Sequence, residues 1–283
     1  MFSNKLIRSI ATASNEEGLA LSPADHQLVL DANRNFTESP EDWRGSAAWG
    51  RYLLAKVQGE KEPLVFSKSL ELCCGNGFVF FSFLELFGDM SGSRHIDLAD
   101  RQCEAFRQRC REVEILVPEI IQGDINHLPF EDSSLNLVYG HSFLHHLPDV
   151  GCVAREVARV LAVGGRFVAF HEPTPTAPFL ESFPRSLFRD VDIGSLTDIW
   201  VIKPDVIERI LLRAGFSDVR VYPSNLFACL FVTPWQILFS KFGISCTGNL
   251  VATIRLWCDH VDRLLPRALA LRIAPSLAVV AIK

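Results

Sequence analysis

Residues 69–77, Ser-Leu-Glu-Leu-Cys-Cys-Gly-Asn-Gly, carry a short apolar strand that ends beside an acidic residue and runs straight into two glycines. Gly75 and Gly77 let the chain turn sharply and bring its backbone against a ligand with no side chain between. The stretch from Phe78 to Phe87 that follows is apolar except at Ser82 and Glu85, which predicts a buried helix packed on a sheet. Strand, glycine turn and helix together point to a pocket for a nucleotide-like cofactor.

Spacing narrows the choice of cofactor. A dinucleotide fingerprint needs Gly or Ala at its third position, after Gly75 and Gly77, so that helix and strand pack closely beside the pyrophosphate. Phe80 occupies that position. Its bulk argues against NAD or FAD and leaves a cofactor without a pyrophosphate, with S-adenosylmethionine as the leading candidate. Arg94 to Leu98 reads as a second strand, placing Asp97 where a carboxylate can accept both hydrogen bonds from a ribose diol. Ile120 to Ile125 reads as a third strand that turns at Gly123. Asp124 would then take the adenine amino proton, with Ile125 against the ring.

Over residues 66 to 222 these motifs resemble the class I S-adenosylmethionine-dependent methyltransferases, in the subfamily that acts on small molecules. Glu71-Leu72-Cys73-Cys74-Gly75-Asn76-Gly77 is similar to that family's first motif, acidic-x-G-x-G-x-G, with Cys73 in place of the first glycine. Gly123-Asp124-Ile125 with Leu128-Pro129-Phe130 is similar to the adenine-side motif, and Leu135 to Tyr139 to the fourth strand, where Asn136 stands for the usual Asp. His145-His146, Glu156 to Leu161 and Gly164-Gly165-Arg166 complete the pattern. The resemblance implies a doubly wound, mostly parallel α/β sheet of about seven strands. It implies S-adenosylmethionine as cofactor, S-adenosylhomocysteine as product, and cofactor contacts from Glu71, Cys73, Gly75, Asn76, Gly77, Asp97, Leu98, Asp124, Ile125 and His141. Cys73 is tolerable if its φ is negative and harmful otherwise, so weakened rather than abolished cofactor binding is expected.

The remaining composition fits such an enzyme. With 283 residues, a formal net charge of −5 and no general basic field, the chain is disfavoured as a nucleic-acid binder. Eight cysteines form no C-x-x-C pair and no zinc spacing, so no metal site is expected and free thiols in a reducing cytoplasm are the simplest account. The first residues do not read as a targeting signal. Val221 to Ser240 carries no charge, but Pro223, Asn225, Thr233, Pro234 and Gln236 interrupt it. A buried helix or a greasy substrate wall is expected there instead of a membrane span, with peripheral lipid contact left open.

Punctuation divides the chain into a helical N-terminal cap, residues 1–65, and an α/β domain, residues 66–283. Residues 173–200 and 223–275 are the expected substrate-capping insertions, the second lying before a last strand at Ser276 to Ile282. Asp205 to Glu208 resembles a capping box, with Gly215 closing that helix. Trp49, Arg51 and Tyr52 are candidates to close over the methionine end of the cofactor, Arg51 pairing its carboxylate.

Methyl transfer to an O, N or C nucleophile needs alignment, water exclusion and, for a protonated acceptor, a base. His141 is the first candidate base, followed by His145 and His146. A small, lipophilic or aromatic acceptor is expected from the 21 phenylalanines and the mean hydropathy of +0.18. The competing readings are a non-methylating enzyme on the same fold, catalysing cyclisation or decarboxylation, and a non-catalytic interaction protein.

Overall fold

β1 (Ser69–Leu72) is buried at every position, the pattern of a parallel strand covered on both faces. β2 (Ser93–Asp97) flanks it on one side, with β3 (Glu119–Gln122) outside β2. β4 (Leu135–His141) flanks it on the other side and is followed by β5 (Leu161–Pro173). With β6 (Asp218–Ser224) and β7 (Ser276–Ile282) the seven-stranded sheet has the order β3-β2-β1-β4-β5-β7-β6. β7 is antiparallel to both its neighbours; the other pairings are parallel. The computed structural model describes residues 45–57, 63–174, 203–240, 242 and 248–283, with residues 27, 30, 31, 33 and 34. Most of the expected cap and of the expected insertion 173–200 lies outside the described residues.

Alternation along the strands divides the core in two. Leu137, Tyr139, Val168 and Phe170 face one cluster, which α1 (Ala47–Ala55), α2 (Phe78–Phe87) and α3 (Asp100–Glu112) cover. Val138, Phe167 and Ala169 face the other, covered by α4 (Val150–Val160) and α5 (Pro204–Arg213). α2 starts at Gly77, with φ 83°, and ends at Gly88, with φ 77°. Phe80, expected to be too bulky for a dinucleotide fold, is buried with its ring 5.0 Å from His95 and 5.1 Å from Phe106. α1 approaches α2 closely because Gly50 has no side chain: a Cβ there would lie 2.5 Å from the Ser82 carbonyl.

One local expectation needs correction. The capping box at Asp205 is absent: Pro204 opens α5, Lys203 is the N-cap without a side-chain bond, and Asp205 pairs with Arg209 at 2.9 Å. β5 is long, beginning at Leu161, because Leu135 pairs with Leu161 ahead of a register shift. Gly215, with φ 104°, does close α5.

β6 and β7 form an antiparallel pair although a long segment separates them. That segment holds α6 (Leu226–Phe231), α7 (Thr233–Ser240), α8 (Asn249–Asp262) and α9 (Arg267–Ile273). It leaves the sheet at Ser224 and returns at Ser276, whose hydroxyls are 3.0 Å apart. Ser276 also pairs with Pro173 at the end of β5, so the insertion rises from the carboxyl edge of the parallel strands. No helix among the described residues is long and apolar enough to cross a membrane.

Gly77 carries the tightest test of this packing. A Cβ at that position would lie 2.5 Å from the Phe106 ring, at a left-handed φ, whereas one at Gly88 meets nothing within 4 Å. Gly77→Ala should therefore cost about 2–3 kcal/mol and Gly88→Ala about 1 kcal/mol in urea unfolding. Equal costs would contradict the contact.

Candidate active site

In the chain, β1 leads to β2 and β3 on one side before crossing to β4 on the other, so a crevice opens at the carboxyl ends of β1 and β4. A cavity of 330 Å³ occupies it, at the lower end of ligand-site sizes. Glu71, Cys73, Gly75, Asp97, Leu98, Asp124, Ile125, His141 and His146 line it. Asn76, Gly77 and His145 are not among its lining residues. Asn76 instead accepts from Arg109 through its backbone and side-chain oxygens, at 2.9 and 3.1 Å, and Gly77 lies against Phe106.

The glycine turn is closed from within the protein. Gly75 N–H donates to Asp97 Oδ2 at 2.9 Å, Ala99 N–H to Asp97 Oδ1 at 2.8 Å, and Gly77 N–H to the Cys74 carbonyl at 3.0 Å. These N–H groups therefore do not form the open nest that would cradle a pyrophosphate. Burial pushes the Asp97 carboxyl up even against its backbone hydrogen bonds. Cys73 has φ 50°, in the left-handed region, the less favourable of the two conformations considered for this departure from glycine. Burial pushes the Cys73 and Cys74 thiols well up, which makes them poor nucleophiles. Glu71 accepts from or shares a proton with His95 at 2.8 Å in the interior, and burial raises its carboxyl.

The opposite wall is aromatic and imidazole-rich. Trp49 and Tyr52, three residues apart on α1, join Phe78 on the lining, while Arg51 points to solvent on another face of the helix and does not reach the cavity. Among the described residues the cation that lines the cavity is Arg255 of α8, whose Nη2 donates to Gln236 at 2.5 Å and Thr233 at 3.3 Å. Its buried Nε and the buried Gln102 Nε2, also on the lining, have no hydrogen-bond partner among the described residues.

His141 stacks on His171 with ring centroids 5.5 Å apart and planes 14° from parallel. Burial lowers His141 to about 4 and His171 well below the ordinary imidazole range. A base that weak is ill matched to proton abstraction near neutral pH, which removes the reason for preferring His141 in that role. The state of His171 follows from its neighbours. Asn225 Oδ1 accepts from the Tyr52 hydroxyl and from Lys56 Nζ at 3.3 Å, which fixes the amide. Asn225 Nδ2 then donates to His171 Nδ1 at 2.7 Å, leaving the imidazole proton on Nε2. His171 lines the cavity and carries Nε2–H as the one donor of its ring.

His145 serves the scaffold. Its Nδ1 lies 2.9 Å from Glu172 Oε2, and Glu172 also accepts from the Phe143 and Leu144 N–H groups at 3.0 and 3.2 Å. Burial would raise the Glu172 carboxyl, but the His145 hydrogen bond and charge and these N–H groups hold it below the usual range. Asn136 is exposed near the start of β4, at the far end of the strand from His141. No cluster of His, Cys, Asp or Glu among the described residues could hold a metal ion.

The donor set fits an adenosyl group. Carboxylates for a diol, an apolar rim at Leu98 and Ile125 and an unpartnered amide at Gln102 are present, and the turn lacks a phosphate nest. A family profile described as a methyltransferase domain matches residues 70–169. The demethylmenaquinone methyltransferase of Staphylococcus epidermidis is 26% identical over 188 residues, 61% of this chain and 76% of the relative. The enzyme of that name from Lactococcus lactis is 31% identical over 137 residues, 48% of this chain and 54% of the relative. Haemonchus contortus phosphoethanolamine N-methyltransferase 2, solved with S-adenosyl-L-methionine, shares the fold with TM-score 0.57 and 14% identity, over 92% of this chain. This chain spans 56% of that structure's length.

The half-buried imidazoles set a pH dependence. For His141, the unfolded chain holds more protons than the folded one between pH of about 6.5 and 4. Its contribution is thus complete above the upper value and is lost as pH falls toward the lower. His141→Phe should lose about 2 kcal/mol less stability than the parent between pH about 7 and 5. Urea unfolding at the two pH values checks this; identical acid sensitivity would contradict it.

Proposed function

Because the chain is a class I S-adenosylmethionine-dependent methyltransferase, we propose that it methylates an oxygen or carbon of a small, lipophilic acceptor of the phenol or quinol class. The locked tautomer of His171 carries this reading. An imidazole N–H held beside Trp49, Tyr52 and Phe78 suits a flat apolar molecule that presents one oxygen as hydrogen-bond acceptor. The name shared by the curated relatives, demethylmenaquinone methyltransferase, supports the same class.

The bound cofactor supplies a methyl group already activated on a sulfonium. Asp97 would accept from the ribose hydroxyls, and Asp124, Leu98 and Ile125 would enclose the adenine end, with Glu71, Cys73 and Gly75 along the wall. His141 and His171 remain neutral, so neither places a like charge beside the sulfonium. His171 and Arg255 stabilise negative charge on the acceptor oxygen as its proton leaves. His146, the remaining imidazole on the lining, is the proposed proton acceptor. Residues 223–275, which deliver Arg255, act as the acceptor cover; the N-terminal cap closes the other side through Trp49 and Tyr52.

A screen with methyl-labelled cofactor tests this. Label should pass to hydrophobic phenols and quinols and not to charged, sugar-like compounds. His171→Phe should lower kcat/KM by about 10²-fold, the scale of one lost oxyanion donor, with S-adenosylhomocysteine affinity kept. Transfer confined to the charged compounds, or an unaffected variant, would overturn the assignment.

A further inference from the structure

The outer face of the insertion has no partner among the described residues. On α8, Leu250, Ile254, Trp257 and Val261 recur at helical spacing and are 73%, 41%, 70% and 41% exposed. The opposite face of α8 carries the buried Ala252, Asp259 and Asp262. On α7, Trp235 and Phe239 stand one turn apart and are also exposed. We propose that this face of α7 and α8 docks on an anionic lipid bilayer.

Charge supports that occupant. Residues 223–275 include five basic side chains, Lys241, Arg255, Arg263, Arg267 and Arg272, and two acidic ones, in a chain of net charge −5. Both acids turn inward. Asp262 accepts from the Leu226 and Phe227 N–H groups at 2.9 and 3.0 Å, and Asp259, which is buried, pairs with Arg263 at 2.8 Å. Arg267 and Arg272 are exposed on α9, the helix that follows α8 in the chain, and Arg267 also donates to the Val221 carbonyl at 3.3 Å. Tryptophan with apolar neighbours on one face and arginine close by is the pattern of an interfacial helix.

A second copy of the chain is a poorer fit. α8 has 14 residues, about two heptads, and its charged side chains, Arg255, Asp259 and Asp262, are engaged within the protein and do not flank the stripe as pairing charges. Position adds a further argument. Arg255, next to the exposed Ile254, lines the cavity, so one helix serves both the docking face and the acceptor end of the site. The docking surface itself does not depend on which acceptor is methylated.

Co-sedimentation of the full chain with vesicles tests the proposal. Vesicles containing about one-third phosphatidylglycerol should bind at least about tenfold more tightly than pure phosphatidylcholine, and added salt should weaken the binding. The double variant Trp235→Gln/Trp257→Gln should lose at least about tenfold of that partitioning while keeping its melting temperature and S-adenosylhomocysteine affinity. No binding by the parent chain, or equal binding by the variant, would overturn the assignment. So would a concentration-dependent dimer that the variant abolishes, since that would give the face to a second copy.

Discussion

The Asp97 carboxylate is the constraint on which the site depends. One oxygen takes the Gly75 N–H and the other the Ala99 N–H, so a single side chain ties the glycine turn after β1 to the end of β2. The same bonds consume a donor that an open phosphate nest would need, and they leave lone pairs for a ribose diol. Phe80 is compatible with this because no pyrophosphate requires α2 to sit closer to β1; its ring instead packs on His95 and Phe106. Cofactor class, turn geometry and helix packing are thus consequences of one another.

The second organising feature is the sorting of charge beneath the cavity. Glu172 is kept ionised by His145 and two backbone N–H groups, which anchors the chain after β4. Lys56 and the Tyr52 hydroxyl both point at Asn225, and Asn225 passes that orientation on as a fixed tautomer of His171. Two imidazoles lowered by burial, His141 and His171, therefore line the cavity, with the Lys56 ammonium beneath them and the Arg255 guanidinium on the wall. Under the proposed reaction such an arrangement would be preorganised for a developing oxyanion and cost little rearrangement.

Much of the fold was legible because it rests on local patterns. The strand, glycine turn and helix at residues 69–87 and the last strand at Ser276 follow from apolar runs bounded by glycine or proline. The placement of Asp97 and Asp124 on the cavity wall was legible from their positions at strand ends. Glu172, His171, Asn225 and Arg255 were not. The orientation of Glu172 depends on a register shift after Ala169 and on the positive φ of His171, and neither leaves a sequence pattern. Asn225 meets His171 across more than fifty positions, and Arg255 enters from an insertion whose path is set by tertiary contacts. Arg51 was misjudged because Trp49 and Tyr52, three apart, claim the inner face of α1 and leave it outside.

Titration calorimetry of the protein with S-adenosylhomocysteine and, separately, with NAD tests the central claim most directly. A turn closed by Asp97 predicts saturable heat with the first and none with the second. Tight binding of NAD with no heat from S-adenosylhomocysteine would contradict it.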